Sequence, residues 1–246
     1  MKPADEVLAL LARGLRAGYG NAADIVAGVD LCLRPESIFA IVGPNGSGKS
    51  TLVRTIAGVM MQRAGSIAVT GTDITAKSAA QRAAVGLAYV PQGANVFRNM
   101  TVQENLQLAT EFLHGRPRVG PDRAAAIFAM FPEVTARRHL LAGHLSGGQR
   151  QMLAFACALL ANPKVLLLDE LSAGLSPRFV SEMMQSVLRA RAAGIAVVLV
   201  EQNVRAAIEI ADEVMVLVDG RASRPTNARE LTDARLADLF LGRAAL

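Results

Sequence analysis

Residues 43–50 read Gly-Pro-Asn-Gly-Ser-Gly-Lys-Ser and match the pattern G-x-x-x-x-G-K-[ST]. Glycines let the backbone wrap closely, so that successive amide groups can point at phosphate oxygens. Lys49 would bring a positive charge to the outer phosphates, and the Ser50 hydroxyl could ligate Mg²⁺. An apolar strand pattern precedes this loop and a helical pattern follows it, as such a site requires. The sequence therefore predicts a nucleoside triphosphate site formed by Gly43, Pro44, Asn45, Gly46, Ser47, Gly48, Lys49, Ser50 and Thr51.

Two adjacent acids, Asp169 and Glu170, end the apolar segment 165–168. In open α/β sheets, ligands bind at the carboxyl ends of buried parallel strands, which would place both acids beside the phosphate loop. Asp169 suits Mg²⁺ and its waters. Glu170 suits a general base that polarises an attacking water.

A second candidate anion site is residues 145–149, Leu-Ser-Gly-Gly-Gln, which precede an apolar helical pattern. Ser146 is a suitable N-cap, and two glycines would leave the amides at the positive helix end uncovered. An ordinary capped helix explains the pattern equally well. The position shortly before Asp169 and Glu170 is what favours an anion site.

The elements that position these residues alternate between strands and helices. Apolar strand patterns occupy residues 38–42, 85–90, 195–200 and 214–218, and a further strand is expected over 164–168, apolar from residue 165. This alternation predicts an α/β domain with a buried, mostly parallel sheet. The first part of the chain is strand-like and predicts an antiparallel β part. An inserted helical lobe is predicted at about residues 98–160, with a capping box from Thr101 to Glu104.

Composition narrows the possible classes of protein. The chain has 246 residues, a net charge of +5, 52% apolar residues and no low-complexity tract, which excludes disordered and fibrous proteins. The arginines are scattered, so we expect a solvated surface and no nucleic-acid partner. No segment approaches the roughly 18 apolar residues that span a bilayer, so we expect a cytosolic chain that meets a membrane only through partners. Cys32 and Cys157 are expected as free thiols in the core.

The phosphate loop, residues 145–149 and the Asp169–Glu170 pair have the order and spacing of ATP-binding cassette (ABC) transporter subunits. The chain resembles this family over residues 6–243, which implies one ABC ATP-binding domain with a P-loop NTPase core that hydrolyses ATP to ADP and phosphate. The resemblance implies that Tyr19 stacks on adenine and that Gln92 touches Mg²⁺ and the attacking water. It makes Glu170, Gln92 and Gln202 catalytic, and Ser50, Gln92 and Asp169 metal ligands.

The resemblance also implies partners. Two such subunits close head to tail on two ATPs, and each ATP would contact Ser146, Gly147, Gly148 and Gln149 of the opposite chain. The second ATPase subunit would be a related, non-identical chain, although a homodimer could form in isolation. Transmembrane permease subunits would hold the pair at the cytoplasmic face of the inner or plasma membrane. An extracytoplasmic solute-binding protein would act on it indirectly.

Finer motifs are similar to the LivF-type ATPases of branched-chain amino acid importers. They are Tyr-Val-Pro-Gln-Gly at 89–93, residues 100–106, Leu-Val-Glu-Gln-Asn at 199–203 and the segment 239–242. Gln202 stands where many family members have histidine, and it can still donate to a phosphate oxygen. Leu171 stands where the family usually has proline, which loosens the turn after Glu170.

Three other interpretations stay open at this point. Urea, short-amide or other amino-acid importers use closely similar subunits, and the solute touches no residue of this chain. A DNA-maintenance ATPase with the same signature would need long coiled-coil arms, whereas no sustained heptads occur between the two motifs. A non-hydrolytic ATP sensor is suggested only by Gln202 and Leu171.

Overall fold

The computed structural model describes residues 8–20, 22–93, 95–111, 119–241 and 243. Its larger sheet has the strand order β10-β9-β3-β8-β7-β6, with β11 also paired to β9. The pairs among β9, β3, β8, β7 and β6 are parallel, and the short β10 and β11 pair antiparallel to β9. The strands of this sheet are β3 (Ile38–Val42), β6 (Leu87–Val90), β7 (Val165–Asp169), β8 (Ala196–Val200), β9 (Glu213–Val218), β10 (Arg221–Ala222) and β11 (Thr226–Asn227).

A second, antiparallel sheet lies near the start of the chain, with the order β2-β1-β4-β5. Its strands are β1 (Leu10–Ala17), β2 (Val26–Leu33), β4 (Ala64–Val69) and β5 (Thr72–Asp73). The two sheets together confirm the predicted fold class, an α/β core with a mostly parallel sheet and an antiparallel β part.

The apolar strands β3, β7 and β8 are fully buried because both of their faces are covered. In β3, Ile38, Ala40 and Val42 pack into a core with the helical part of the chain, while Phe39 and Ile41 pack into a core with the antiparallel sheet. This explains why no polar residue interrupts the strand. The ends of these strands are thereby held rigidly at one edge of the sheet.

The helices are α1 (Lys49–Ala57), α2 (Ala79–Ala84), α3 (Val102–Glu111), α4 (Pro121–Met130), α5 (Pro132–Thr135), α6 (Gly147–Leu160), α7 (Pro177–Ala192), α8 (Val204–Ile210) and α9 (Asp233–Phe240). None of the helices formed by the described residues combines the length and apolar character needed to cross a bilayer.

The described helices of the predicted lobe lie between β6 and β7 in the chain. They share a buried centre in which the rings of Phe131 and Phe155 meet edge to face at 5.7 Å. The expected capping box is present at the start of α3, since Thr101 Oγ1 accepts from the Glu104 amide and the Glu104 carboxylate accepts from the Thr101 amide. The domain limits 6–243 and the lobe limits 98–160 stay predictions, and residues 6, 7, 21, 94, 112–118 and 242 lie outside the described residues.

The prediction that both cysteines lie in the core was wrong for Cys32, which is exposed. Cys157 is partly buried and packs against the core, and both are free thiols. Val29, Leu31 and Leu33 of β2 point inward and are buried. Because side chains alternate along a strand, Cys32 must face outward.

Candidate active site

The phosphate loop connects the end of β3 to the start of α1, where Lys49 is the first helical residue. Gly43 and Gly48 adopt φ values of 156° and 103°. The loop lies close to the backbone of Leu217 and of Ile25. A Cβ on Gly43 would overlap the Leu217 carbonyl oxygen, and one on Gly48 would lie 2.8 Å from that of Ile25. Larger residues are therefore excluded at both positions, as expected for a backbone that must cradle phosphates.

The Lys49 ammonium is buried beneath this loop. Its Nζ donates to the carbonyl oxygens of Gly43 at 2.9 Å and Pro44 at 2.8 Å, and it lies 3.8 Å from Glu170 Oε1. Burial lowers the pKa of Lys49, and the Glu170 and Asp169 carboxylates oppose that shift. A positive charge is thus held under the loop, between the loop carbonyls and a carboxylate.

Asp169 and Ser50 face each other at the end of β7 and the start of α1. Ser50 Oγ donates to Asp169 Oδ1 at 2.8 Å. Tyr89, on β6, donates its hydroxyl to Oδ2 at 3.0 Å, and Arg54 Nε lies 4.0 Å from the same oxygen. A serine hydroxyl and a fixed carboxylate are the oxygen ligands that Mg²⁺ takes alongside phosphates, so the donor set fits this ion.

Glu170 follows directly and has a left-handed backbone, with φ of 51°. Its Oε2 atom accepts from Gln202 Nε2 at 2.6 Å and from Gln92 Nε2 at 3.0 Å. Three segments that the sequence separates widely therefore meet at one carboxylate. This brings together all three residues predicted to be catalytic.

The 145–149 segment forms the expected helix start. Ser146 caps α6 in a reciprocal capping box with Gln149, the two bonds measuring 3.3 Å and 3.1 Å. Gly147 is exposed, whereas Gly148 is buried against the Phe179 ring. A Cβ atom on Gly148 would lie only 3.1 Å from that ring. Within the described part of the chain, no hydrogen bond or ion pair joins residues 146–149 to the phosphate loop.

Tyr19 lies on the surface after β1, with 55% of its area exposed. Arg63 holds the backbone around it, donating to the carbonyl oxygens of Gly20 and Ala22 at 2.6 Å each. The hydroxyls of Tyr89 and Tyr19, the former more strongly, raise the pKa of Arg54. Arg54 Nε in turn lies 4.0 Å from Asp169 Oδ2.

Sequence reasoning missed several residues that build the site. Tyr89 and Arg54 contact Asp169, and Gln151 of α6 donates to the Gln92 carbonyl oxygen at 2.7 Å. Glu201 is fully buried and accepts a 3.0 Å hydrogen bond from the Ser172 amide. The available signal for Glu201 was a charged residue placed directly after a fully apolar strand.

Comparison with known proteins identifies the family. Residues 26–173 match the family model described as ABC transporter. The chain is 43% identical over 220 residues, covering 89% of this chain and 92% of the relative, to a probable branched-chain amino acid transport ATP-binding protein LivF from Archaeoglobus fulgidus. It is 32% identical, over 95% of this chain and 97% of the relative, to the lipopolysaccharide export system ATP-binding protein LptB of Haemophilus influenzae.

A solved structure shares the fold over nearly the whole of this chain. The ADP conformation of MJ1267, an ATP-binding cassette of an ABC transporter, has a TM-score of 0.81 and 26% identity, and covers 96% of this chain and 99% of that one. The family match and this likeness bear out the resemblance inferred from the motifs. The chain belongs to the ABC transporter family, as an ATP-binding subunit whose ATPase activity is coupled to transport.

Proposed function

We propose that this chain hydrolyses ATP with Glu170 as the general base and thereby powers an importer of branched-chain amino acids. The observation that carries the catalytic part is the convergence of Gln92 and Gln202 on Glu170 Oε2. The opposite oxygen, Oε1, faces Lys49 under the phosphate loop. A carboxylate oriented in this way can take a proton from a water that is aligned on the terminal phosphate.

The phosphate loop would bind ATP through its amides and through Lys49. Residues 43–51 surround the phosphates in this proposal, and Tyr19 stacks on the adenine. Ser50 and Asp169, with Gln92, would hold Mg²⁺, which neutralises charge on the phosphate oxygens. The Ser50 to Asp169 bond of 2.8 Å supports this assignment, because the two side chains already lie side by side.

The reaction needs one proton acceptor and one aligned water. The water oxygen bonds to the γ-phosphorus as the bond to the β–γ bridging oxygen breaks, and the water proton passes to Glu170. Gln202 and Gln92 keep the carboxylate in place, and Gln202 can also donate to a γ-phosphate oxygen. ADP and phosphate leave, and Glu170 returns the proton to phosphate or solvent.

The site in one chain is half of the proposed composite site. The 14-residue helix α6 begins at Gly147 and is capped by Ser146, and both of these residues are exposed. The proposed contact with the opposite ATP is made by Ser146, Gly147, Gly148 and Gln149. We propose that they close on the phosphates of ATP held by a second, related but non-identical ATPase subunit, and that a homodimer can form in isolation. Release of this closed pair after hydrolysis would drive the change of shape in the permease.

The partners follow from the same proposal. Transmembrane permease subunits would hold the ATPase pair at the cytoplasmic face of the inner or plasma membrane, and an extracytoplasmic solute-binding protein would act through them. Nucleic acid has no part in it. The transport function named for the Archaeoglobus fulgidus relative favours branched-chain amino acids as the solute.

Other transported solutes are the alternatives. The LptB relative serves lipopolysaccharide export at lower identity, 32% against 43%. Urea, short amides and other amino acids fit the same ATPase, and a non-transport ABC ATPase is a more distant alternative. The permease and binding protein decide among these, since the solute does not meet this chain.

Capture of the ATP-loaded complex tests the transport proposal. Glu170→Gln, with ATP and Mg²⁺, is used as bait on detergent-solubilised membranes of the source organism, with Lys49→Ala as the variant that should not form the closed complex. We expect polytopic membrane proteins and a second ATPase with the first variant only. Their companion binding protein is then titrated with leucine, valine and urea. Binding of urea but not leucine would reject the branched-chain assignment, and recovery of soluble proteins alone would reject transport.

A further inference from the structure

Glu201 is a buried carboxylate that the proposed reaction does not use. It follows β8 immediately and has no exposed surface. Its Oε1 accepts from the Ser172 amide at 3.0 Å, and its Oε2 accepts from the Ser172 hydroxyl. Its own amide donates to the Ile41 carbonyl oxygen of β3 at 3.2 Å. The residue is thus anchored on the central strand and reaches across to the loop after β7.

The contact between Glu201 and Ser172 lies next to the catalytic residues in the chain. Ser172 comes two residues after Glu170, and Glu201 comes one residue before Gln202. The bond between Gln202 and Glu170 and the bonds between Glu201 and Ser172 therefore join the same two loops side by side. A third bond, from the Glu170 amide to the Val200 carbonyl oxygen at 2.9 Å, lies between them. Glu170 is held between the end of β8 and the Ser172 contact.

Glu170 needs such support because of its backbone. A left-handed conformation costs a non-glycine residue about 1–2 kcal/mol and persists only where its surroundings hold it. A proline at position 171 would restrict the next φ angle, but this chain has leucine there, with a fully buried side chain. The paired bonds to Ser172 supply a fixed point on the far side of Leu171.

We propose that Glu201 is a positioning residue for hydrolysis, which acts through Ser172 to keep the Glu170 carboxylate beside Gln92 and Gln202. Glu201 itself touches neither ATP nor water in this scheme. The inference rests on the proposed role of Glu170 as the base. Its specific consequence is that losing the Ser172 contact slows the chemical step and leaves nucleotide binding intact.

Steady-state kinetics of the full chain with Mg²⁺ and ATP tests this. We expect Glu201→Ala to lower kcat by about 10- to 100-fold, because small displacements of a catalytic group have effects of this size. The KM and the Kd for ATP should change by less than about threefold, since Lys49 and the loop are untouched. Ser172→Ala keeps the amide donor and loses the hydroxyl, so its kcat should fall by a smaller factor. As a matched control, Glu209→Ala removes a glutamate carboxylate from the exposed face of α8, and its kcat should equal that of the parent.

Rescue by the conservative variant separates positioning from loss of stability. In Glu201→Gln, the amide oxygen can accept from the Ser172 amide and the NH₂ group can donate to its hydroxyl, so kcat should stay within about threefold of the parent. If Glu201→Ala does not fold, as judged by thermal unfolding, the Ser172→Ala and Glu201→Gln variants still decide the question. Parent-like kcat in a folded Glu201→Ala would overturn the inference. If that variant does not fold, parent-like kcat in Ser172→Ala would overturn it instead. So would an equal loss of kcat in Glu201→Gln and Glu201→Ala.

Glu170→Gln, measured in parallel, shows which proposal has failed. Turnover by this variant at the parent rate would reject the role of Glu170 itself. An inactive Glu170→Gln together with a fully active, folded Glu201→Ala would leave the proposed function standing and reject only the positioning role of Glu201.

Discussion

The side-chain amide of Gln202 donates to Oε2 of Glu170 over 2.6 Å. This pair joins the ends of two adjacent parallel strands, β7 and β8. Gln92 donates to the same oxygen from the loop after β6. The carboxylate orientation therefore depends on two amides that belong to different loops.

Replacing Gln202 tests that dependence. We expect Gln202→Ala to lower kcat by about 10- to 100-fold, because one of the two bonds that orient Glu170 is lost. Gln202→His can still donate one N–H, so it should keep more of the activity than the alanine variant. Rates of phosphate release at saturating ATP give the comparison. Equal activity of the parent and the alanine variant would show that Gln202 does not orient the base.

Lys49→Ala should weaken ATP binding. The buried ammonium bonds the Gly43 and Pro44 carbonyl oxygens, and it supplies a positive charge directly under the loop that is proposed to hold the phosphates. Removing it should raise the Kd for ATP by about tenfold or more, which corresponds to about 1.4 kcal/mol. Isothermal titration with ATP and Mg²⁺ measures this directly. An unchanged affinity would count against the phosphate-loop assignment.

Tyr89→Phe should raise the Mg²⁺ concentration needed for hydrolysis. Burial, and next the Asp169 carboxylate, raise the pKa of Tyr89, so the hydroxyl keeps its proton and remains a donor to Asp169 Oδ2. Without that bond the carboxylate is less well oriented toward Ser50, and half-saturating Mg²⁺ should rise by about 3- to 10-fold, since losing groups that orient metal ligands weakens metal binding. Turnover is titrated with Mg²⁺ at fixed ATP. Identical Mg²⁺ curves for the variant and the parent would remove Tyr89 from this role.

Glu201 should make the folded chain less stable as the pH rises. Burial raises the pKa of Glu201 to about 7, and the nearby Glu170 carboxylate adds to the rise while the Ser172 bonds oppose it. The folded state therefore holds a proton that the unfolded state loses near its ordinary pKa of 4.5. This contribution is complete below that value and is lost as the pH rises through about 7.

The Glu201→Gln variant isolates this contribution, since other groups titrate in both proteins. Between pH 4 and 8.5, the free energy of unfolding of the parent should fall relative to the variant by up to about 3 kcal/mol. Urea unfolding at the two pH values measures the difference. Parallel behaviour of the two proteins would show that Glu201 does not change its charge over this range.

Motifs with fixed local spacing allowed most of the site to be predicted. The phosphate loop, the capped start of α6 and the acids after β7 each depend on neighbouring residues, and the strand–helix alternation indicated which sheet edge they share. The Tyr89 bond to Asp169 spans 80 residues and the Glu201 bond to Ser172 spans 29. Such pairs depend on how neighbouring strands are aligned, which one sequence does not reveal. The outward orientation of Cys32 could have been predicted from its neighbours. Leu31 and Leu33 face the core, so the residue between them must lie on the opposite face of the strand.

ATP hydrolysis by Glu170→Gln, measured together with ATP binding, tests the central claim most directly. Glutamine keeps the shape of the side chain and cannot accept the proton of the attacking water. We predict that the variant binds ATP with a Kd within about threefold of the parent while turnover falls by about 100-fold or more. Rapid hydrolysis by this variant, under conditions where the parent turns over at a similar rate, would contradict the role of Glu170 as the base.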